Sequence, residues 1–570
     1  MSVLNPFRLR ARRDNGASSS IKVKARGGGA RSRGRLMLAM GVVFAVYGAI
    51  GARLVQLGMT GEPVVNLPQS RPTASRPDIL DRNGLVMATD IKTASLFAEP
   101  RRIVDIDEAI EKLQTVLPDL DYDSTYRKLN SQAGFVWLRR QLSPRQQADI
   151  LALGIPGLGF RTEKRRFYPG GPTASHILGL VNIDNQGIAG IEKYIDDQGL
   201  ADLQALGLAG PDTLEPVRLS IDLRAQHVLR DELEAALERY HAVAAAGTII
   251  NARTGEVVAM ASLPDYDPNN PFNALEKDRL NRVSAGVFEM GSTFKLFTTA
   301  MALDSGKVNL NSSFDASKPL RIGGFTINDF HGKRRVLTVP EIFIYSSNIG
   351  TAKMAEVVGV EGHRAFLKKV GLLDRMKIEL PEVATPTEPK EWKRLHSITI
   401  SYGHGVATTP LQTAVAAAAM VNGGKLIPPT FLPRTEEEAR EIAQQVISPE
   451  TSAKIRYLFR LNVEKGSGSR AEAPGYFVGG KTGTAEKVVN GRYSNNKRFN
   501  AFIAAFPTND PEYVVAIVID EPQPERPGIG ATSGLNAAPV AGNVIRRTAA
   551  MLGVKPDFGQ ENSAVLVSYQ

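Results

Sequence analysis

The sequence predicts an α+β protein with a single N-terminal transmembrane helix, a mixed α/β platform domain, and a larger domain whose antiparallel sheet is covered by helices. Three observations carry this reading. A basic tail runs into an unbroken apolar stretch, Leu36 to Ala52. Strand-like segments stand at both ends of residues 216–555, with capped helical segments between them. The chain of 570 residues, 43% of them apolar, can bury at least two sizeable cores.

Residues 1–35 hold ten Lys and Arg against Asp14 alone, so nearly all of the formal charge of +10 belongs to this tail. The rest of the chain is close to neutral, which argues against nucleic acid as a partner. Residues 36–57 follow as the expected membrane anchor: 22 residues span about 33 Å as a helix, with Arg53 snorkelling to the headgroups. The short basic tail stays cytoplasmic, and the bulk of the chain lies across the membrane. A cleaved signal peptide is the alternative, with small residues at Ala49, Gly51 and Ala52, but the apolar run exceeds the usual core of about 7 to 15 residues. The absence of cysteine excludes disulfides, thiolate metal sites and cysteine nucleophiles. The seven histidines include no HExxH, and no metal site is expected.

Residues 58–215 read as the platform, opened by a polar stalk and containing an Asn83-Gly84 turn, a helix over 105–117 and turn-rich "RFYPGGPTASH". In residues 216–555, "LSIDLRAQHVLRDELEAALERY" has apolar residues at helical spacing, and "GTIINARTGEVVAMAS" reads as two strands turned at Thr254-Gly255. Three further strands are expected in "YFVGGKTGTAEKVV", "FNAFIAAFP" and "EYVVAIVIDEP". Between these lie helices with start and stop marks. Thr338 and Glu341 have capping-box spacing, while Thr409 caps a run opened by Pro410 and closed by Gly423-Gly424. Residues 556–570 carry no pattern and read as a tail.

Ser-x-x-Lys occurs three times, at Ser19/Lys22, Ser292/Lys295 and Ser494/Lys497, so the tetrapeptide alone selects nothing. Ser19 lies in the tail, and Ser494 falls in "NGRYSNNKRFN", read as a polar loop between strands. Ser292 opens an apolar helix in which Phe294, Phe297 and Met301 can pack inward. There the Lys295 amine lies on the same face as the hydroxyl, and unpaired helix-start N–H groups favour developing negative charge.

A serine hydroxyl needs a base, and a lysine serves only when burial or a nearby cation keeps it neutral. A second lysine should therefore converge on the first. Lys481 of "KTGT" supplies one on an expected strand, with Thr482, Gly483 and Thr484 beside it; Gly479, Gly480 and Gly483 would let a ligand backbone lie close. "SSN", Ser346 to Asn348, falls where the helix from Val339 should end. Ser-x-Asn and Lys-Thr-Gly are each weak alone, since Ser494/Asn496 and "RTG" at Arg253 resemble them. Their order carries the weight: Ser-x-x-Lys, Ser-x-Asn 54 residues on, then Lys-Thr-Gly 135 beyond.

In that order and context the chain resembles the class B penicillin-binding proteins, most closely their division-specific FtsI-type peptidoglycan D,D-transpeptidase branch. The resemblance rests on "RPDILDRNG", "RRFYPGG", "ASHILGLV" and "GIAGIEKYID" in the platform. Beyond it stand "LSIDLRAQ", "TGEVVAMASLPDYDPNNP", "NRVSAGVFEMGSTFK", "SYGHGVATTPLQ" and "GGKTGTAEK". "SSN" favours the division branch, because elongation-branch relatives usually carry aspartate at the place of Asn348. Met290 departs from the family, which commonly has proline before Gly-Ser.

The resemblance implies that Ser292 attacks the carbonyl between the terminal D-alanines of a peptidoglycan stem peptide while Lys295 takes its proton. Backbone N–H groups of Ser292 and Thr484 would form the oxyanion hole. Ser346 and Lys481 would pass a proton to the leaving amine, Asn348 would hold the peptide backbone, and Thr482 and Thr484 would bind its carboxylate. An amine of a neighbouring stem then resolves the acyl-enzyme. No metal or organic cofactor is implied. The implied partners are β-lactam antibiotics, the membrane, and a polytopic glycan polymerase with other division proteins.

Three other readings compete with this one. A D,D-carboxypeptidase or β-lactamase would need a group to activate water, and no Glu-x-x-Leu-Asn stretch lies between Asn348 and Lys481. A β-lactam sensor or inactive scaffold would join this fold to a multi-helix membrane domain, whereas one anchor is counted. A Ser-His-Asp hydrolase lacks its GxSxG elbow.

Overall fold

The computed structural model describes residues 40–41, 44–48, 50–51, 75–199, 214–489 and 492–558. The expected cytoplasmic tail, most of the expected transmembrane helix over 36–57, and most of the stalk and C-terminal tail lie outside them. The residues of 36–57 that are described are helical and exposed. Among the described residues no helix is long and apolar enough to cross a membrane.

The platform is built on strands β1 (Ile79–Leu80), β2 (Val86–Ala98), β3 (Val136–Leu142) and β4 (Leu158–Phe167), with β2 pairing antiparallel to the other three. Helices α1 (Ile106–Val116), α2 (Tyr122–Leu129) and α3 (Pro144–Ala152) bury Leu96, Ala98 and Leu138 of the sheet against Ile110, Leu113 and Ile150. Each begins where a short polar side chain can accept orphan N–H groups: Asp105, Asp121, and Ser143 in a capping box with Gln146. Helix α4 (Gly190–Asp197) follows. Just past the expected boundary at 215/216, strand β5 (Val217–Arg218) pairs parallel to β1 and so ties the start of the next domain into the platform sheet.

The second domain is three-layered. Its sheet runs β8 (Gly479–Val489), β9 (Arg492–Phe506), β10 (Tyr513–Asp520), β6 (Ala244–Asn251), β7 (Val257–Leu263), with every pair antiparallel. Helices α5 (Leu223–Tyr240) and α11 (Ala537–Thr548) cover one face, packing on Val515, Ile517 and Phe502. Helices α6 (Lys295–Asp304), α9 (Pro410–Val421) and α10 (Pro449–Lys465) cover the other, packing on Val514, Ala516 and Ile503. Adjacent strand residues thus serve opposite cores, which is why β10 is buried along its whole length. All twelve residues of α9 are buried, as befits a helix apolar on every side. Thr409 caps it as expected, and the Thr338/Glu341 box opens α7 (Val339–Ile344) ahead of α8 (Asn348–Val358).

One local expectation fails. Ser494 lies in strand β9, not in a loop: Tyr493 pairs with Val488 and Arg492 with Val489, so β8 and β9 continue as a two-stranded ribbon. Val488, Tyr493, Asn496 and Lys497 are exposed there, so the ribbon tolerates the polar residues that suggested a loop. Asn490 and Gly491, which open the stretch "NGRYSNNKRFN", lie outside the described residues.

Candidate active site

The nucleophile candidate sits on a single 3-10 turn, Gly291–Phe294, from which α6 continues. Two glycines permit this. A Cβ on Gly291, whose φ is +54°, would stand 2.8 Å from the Thr484 carbonyl, and one on Gly403 would stand 1.8 Å from Gly291 O. Strand β8 therefore lies backbone to backbone against the turn. Gly483 serves the same contact, since its Cβ would fall 2.4 Å from Met290 O and 2.7 Å from Thr293 Cγ2. Gly480 is pressed similarly by Ile503 O, at 2.4 Å. These glycines admit the protein's own backbone, which corrects the expectation that they make room for a ligand.

Helix α6 is buried over nine of its ten residues, and Lys295 is its first. Its ammonium cannot reach water and turns to Ser346, donating to the backbone O and, at 3.0 Å, to Oγ. Ser346 follows α7, as expected, with φ +55°. A non-glycine residue in this region is costly, and here it directs both oxygens at the lysine. From the opposite side, Lys481 Nζ donates to the same Ser346 Oγ at 3.1 Å and to Thr482 O at 3.2 Å, and lies 5.7 Å from the Phe343 ring centroid. Two fully buried lysines thus converge on one hydroxyl.

Burial pushes Lys481 down to about 7. It also holds Lys295 well below the usual ammonium range, and there the Lys481 charge adds to it while Asp329 acts in the opposite sense. The expected convergence of the two lysines is therefore present; desolvation is the main cause of both depressed values, and for Lys295 the Lys481 charge comes second. Ser292 Oγ makes no hydrogen bond to Lys295 among the described residues; the amine is occupied by Ser346.

The other expected residues divide. Thr484 Oγ1 accepts from Ser533 N at 3.1 Å, and Thr482 Oγ1 lies 2.6 Å from Ser467 Oγ. Asn348 does not join the lysines: its amide donates to Asn328 O at 2.9 Å. Asp329 escaped the sequence reading. It accepts from Ser347 Oγ at 2.7 Å and from Ile349 N at 3.0 Å, pinning the start of α8 behind Ser346. Ser467 was missed too, because nothing local in "EKGSGSRA" marks a partner on β8.

Met290 finds its reason in the core. Its side chain is buried beside Phe294, and its carbonyl accepts from Thr293 Oγ1 at 2.8 Å. Its φ of −81° suits proline, its N–H makes no hydrogen bond among the described residues, and the chain enters extended through the Phe288–Thr408 bridge. Met290→Pro should therefore leave the rate of penicillin labelling within about twofold of wild type, because the turn keeps its shape. It should lower unfolding stability by about 2 kcal/mol through lost side-chain packing. Thermal melts beside labelling kinetics separate the two effects.

Comparison with known proteins gives the family. The family model of the penicillin-binding protein transpeptidase domain matches residues 245–546, and that of the penicillin-binding protein dimerisation domain matches residues 71–199. The chain is 40% identical over 492 residues to a Caulobacter vibrioides protein named probable peptidoglycan D,D-transpeptidase FtsI, covering 84% of this chain and 82% of that one. It is 33% identical over 559 residues to the probable peptidoglycan D,D-transpeptidase PenA of Neisseria gonorrhoeae, covering 92% and 94%. Among solved structures, the apo TP domain of Burkholderia pseudomallei penicillin-binding protein 3 matches with a TM-score of 0.54 and 32% identity, covering 60% of this chain and 97% of that one.

Proposed function

This chain belongs to the class B penicillin-binding proteins, and on that premise we propose how it crosslinks septal peptidoglycan. It is a peptidoglycan D,D-transpeptidase and a β-lactam target. Ser292 Oγ attacks the carbonyl carbon of the penultimate D-alanine, and its proton passes to neutral Lys295. The developing oxyanion lies between the N–H groups of Ser292 and Thr484, whose backbones already touch at Gly291. The C–N bond then breaks. Ser346 Oγ, held by both lysines, relays a proton to the departing D-alanine amine. Thr482 and Thr484 hold the terminal carboxylate, and Asn348 the stem backbone. An amine of a neighbouring stem attacks the ester, gives up its proton along the same route, and frees Ser292.

The observation that carries this reading is the Ser346 hydroxyl shared by two desolvated lysines, since such a pair supplies a neutral amine at physiological pH. In the cell, residues 36–57 would anchor the protein once in the inner membrane. The N-terminus would then be cytoplasmic and the catalytic domain periplasmic at the division site, within reach of a polytopic glycan polymerase.

Fluorescent penicillin, followed by digestion and mass mapping, tests the assignment. One adduct is expected, on the peptide containing Ser292, and Ser292→Ala should carry none. An adduct on another serine, or undiminished labelling of the alanine variant, would overturn it.

A further inference from the structure

The carboxylate of Glu289, three residues before Ser292, joins three segments that meet at the nucleophile turn. Its Oε1 accepts from Gly405 N at 2.7 Å and from Tyr493 Oη at 3.2 Å, and its Oε2 faces His404 Nδ1 at 3.2 Å. Among the described residues no lysine or arginine pairs with it. Tyr493 belongs to the ribbon in which β8 and β9 continue beyond Thr484, where it pairs with Val488. The His404 ring stands edge-on to Tyr402 at 5.6 Å and to Tyr493 at 5.5 Å. One residue before Glu289, Phe288 stacks on Phe499 of β9 with centroids 4.2 Å apart and planes 7° from parallel. Lys487 of β8 also holds the ribbon, pairing with Asp520 at the end of β10 at 2.8 Å and with Glu521 at 2.7 Å.

We infer that Glu289 is a positioning residue for acylation: it fixes the ribbon that extends the Lys-Thr-Gly-Thr strand against the turn carrying Ser292, so that a stem peptide laid along β8 meets a wall already in place. This rests on the transpeptidase reading above. Burial, and then the Glu289 charge, push the Tyr493 hydroxyl up from its ordinary value, so it remains a donor to the carboxylate throughout the working pH range. Glu289 bonds to neither lysine and to neither serine of the proton route. Its loss therefore releases the ribbon without altering the reacting groups, and the ligand must order the ribbon on binding.

The test is a double-mutant cycle with Tyr493→Phe and Glu289→Ala, in which penicillin acylation is resolved into Ks and k2 and thermal melting is recorded beside it. Each single variant should raise Ks about five- to tenfold, the size of one hydrogen bond, with k2 within about twofold of wild type. The double variant should be no worse than the poorer single one. Tyr493→Phe keeps the ring on a half-exposed residue, so it reads the hydroxyl even where Glu289→Ala fails to fold. Unchanged Ks in Tyr493→Phe, multiplying losses in the double variant, or losses confined to k2 would each overturn the inference. Wild-type protein that takes no label at Ser292 would instead overturn the transpeptidase reading.

Discussion

Lys295→Met should lower the rate constant for penicillin acylation of Ser292 by about 10³- to 10⁴-fold, the upper range for loss of a positioned general base. Methionine nearly matches lysine in length and suits the buried site, so stability should hold while k2 falls. Lys295 is fully buried on the first turn of α6, and among the described residues only Lys295 and Lys481 bond to the Ser346 hydroxyl. Labelling of Lys295→Met at more than about a tenth of the wild-type rate would remove Lys295 from the proton path.

The same pair fixes the sign of the pH dependence. A lysine accepts the serine proton only when neutral, so acylation must rise with pH through the apparent titration of the pair and level off above it. Burial brings Lys481 down to about 7 and holds Lys295 well below the usual ammonium range, so both lysines are easier to keep neutral than an exposed one. The Lys481 charge is one of the causes that depress Lys295. Lys481→Met removes it, the Lys295 ammonium becomes easier to form, and the acid limb of the k2 profile should move to higher pH. A limb that moves to lower pH in that variant would contradict the electrostatic coupling.

How much of this was legible depends on the range of the interaction. Helix caps such as Thr338 with Glu341 are local and could be read from spacing; so could the strands, whose apolar residues serve both cores. Ser292 was separable from Ser494 because one opens a helix and the other does not. The convergence of Lys295 and Lys481 followed from chemistry, since a lone lysine would stay charged. What escaped are contacts that no local pattern marks: Asp329 with Ser347, Ser467 with Thr482, and Glu289 with Tyr493, 204 residues apart. The glycines of "GGKTG" looked open to a ligand because sequence cannot show which backbone fills the space. Asn348 was expected to hold the stem backbone; nothing local in the sequence showed that at the start of α8 its amide donates to Asn328 O.

Glu192→Ala should destabilise the platform by about 3 to 5 kcal/mol, the usual result of stripping one partner from a buried charge cluster. Glu192 is fully buried in α4 and faces two buried guanidinium groups: Arg76 Nε at 2.7 Å and Arg166 Nε at 2.6 Å. Asp196 reaches Arg76 at 2.6 Å and Asp90 reaches Arg166 at 3.3 Å, while Pro77 O and Asn185 O take further N–H groups. Arg76 precedes β1, Arg166 lies near the end of β4, and Glu192 sits on α4, so one carboxylate ties three segments that are up to 116 residues apart. Removing it leaves two charges away from water, each with one of its two carboxylate partners. Glu192→Gln, which keeps a carbonyl acceptor but no charge, should lie between alanine and wild type.

The chain's two tryptophans make this measurable, because Trp137 is in the platform and Trp392 in the second domain. In a Trp392→Phe background, Trp137 fluorescence reports platform unfolding in urea alone. Penicillin labelling at temperatures below that transition should match wild type within about twofold, since no member of the cluster contacts the Ser292 turn. An unchanged urea midpoint in Glu192→Ala would mean the arginines find other partners, and the platform would then be held by its helix–sheet core alone.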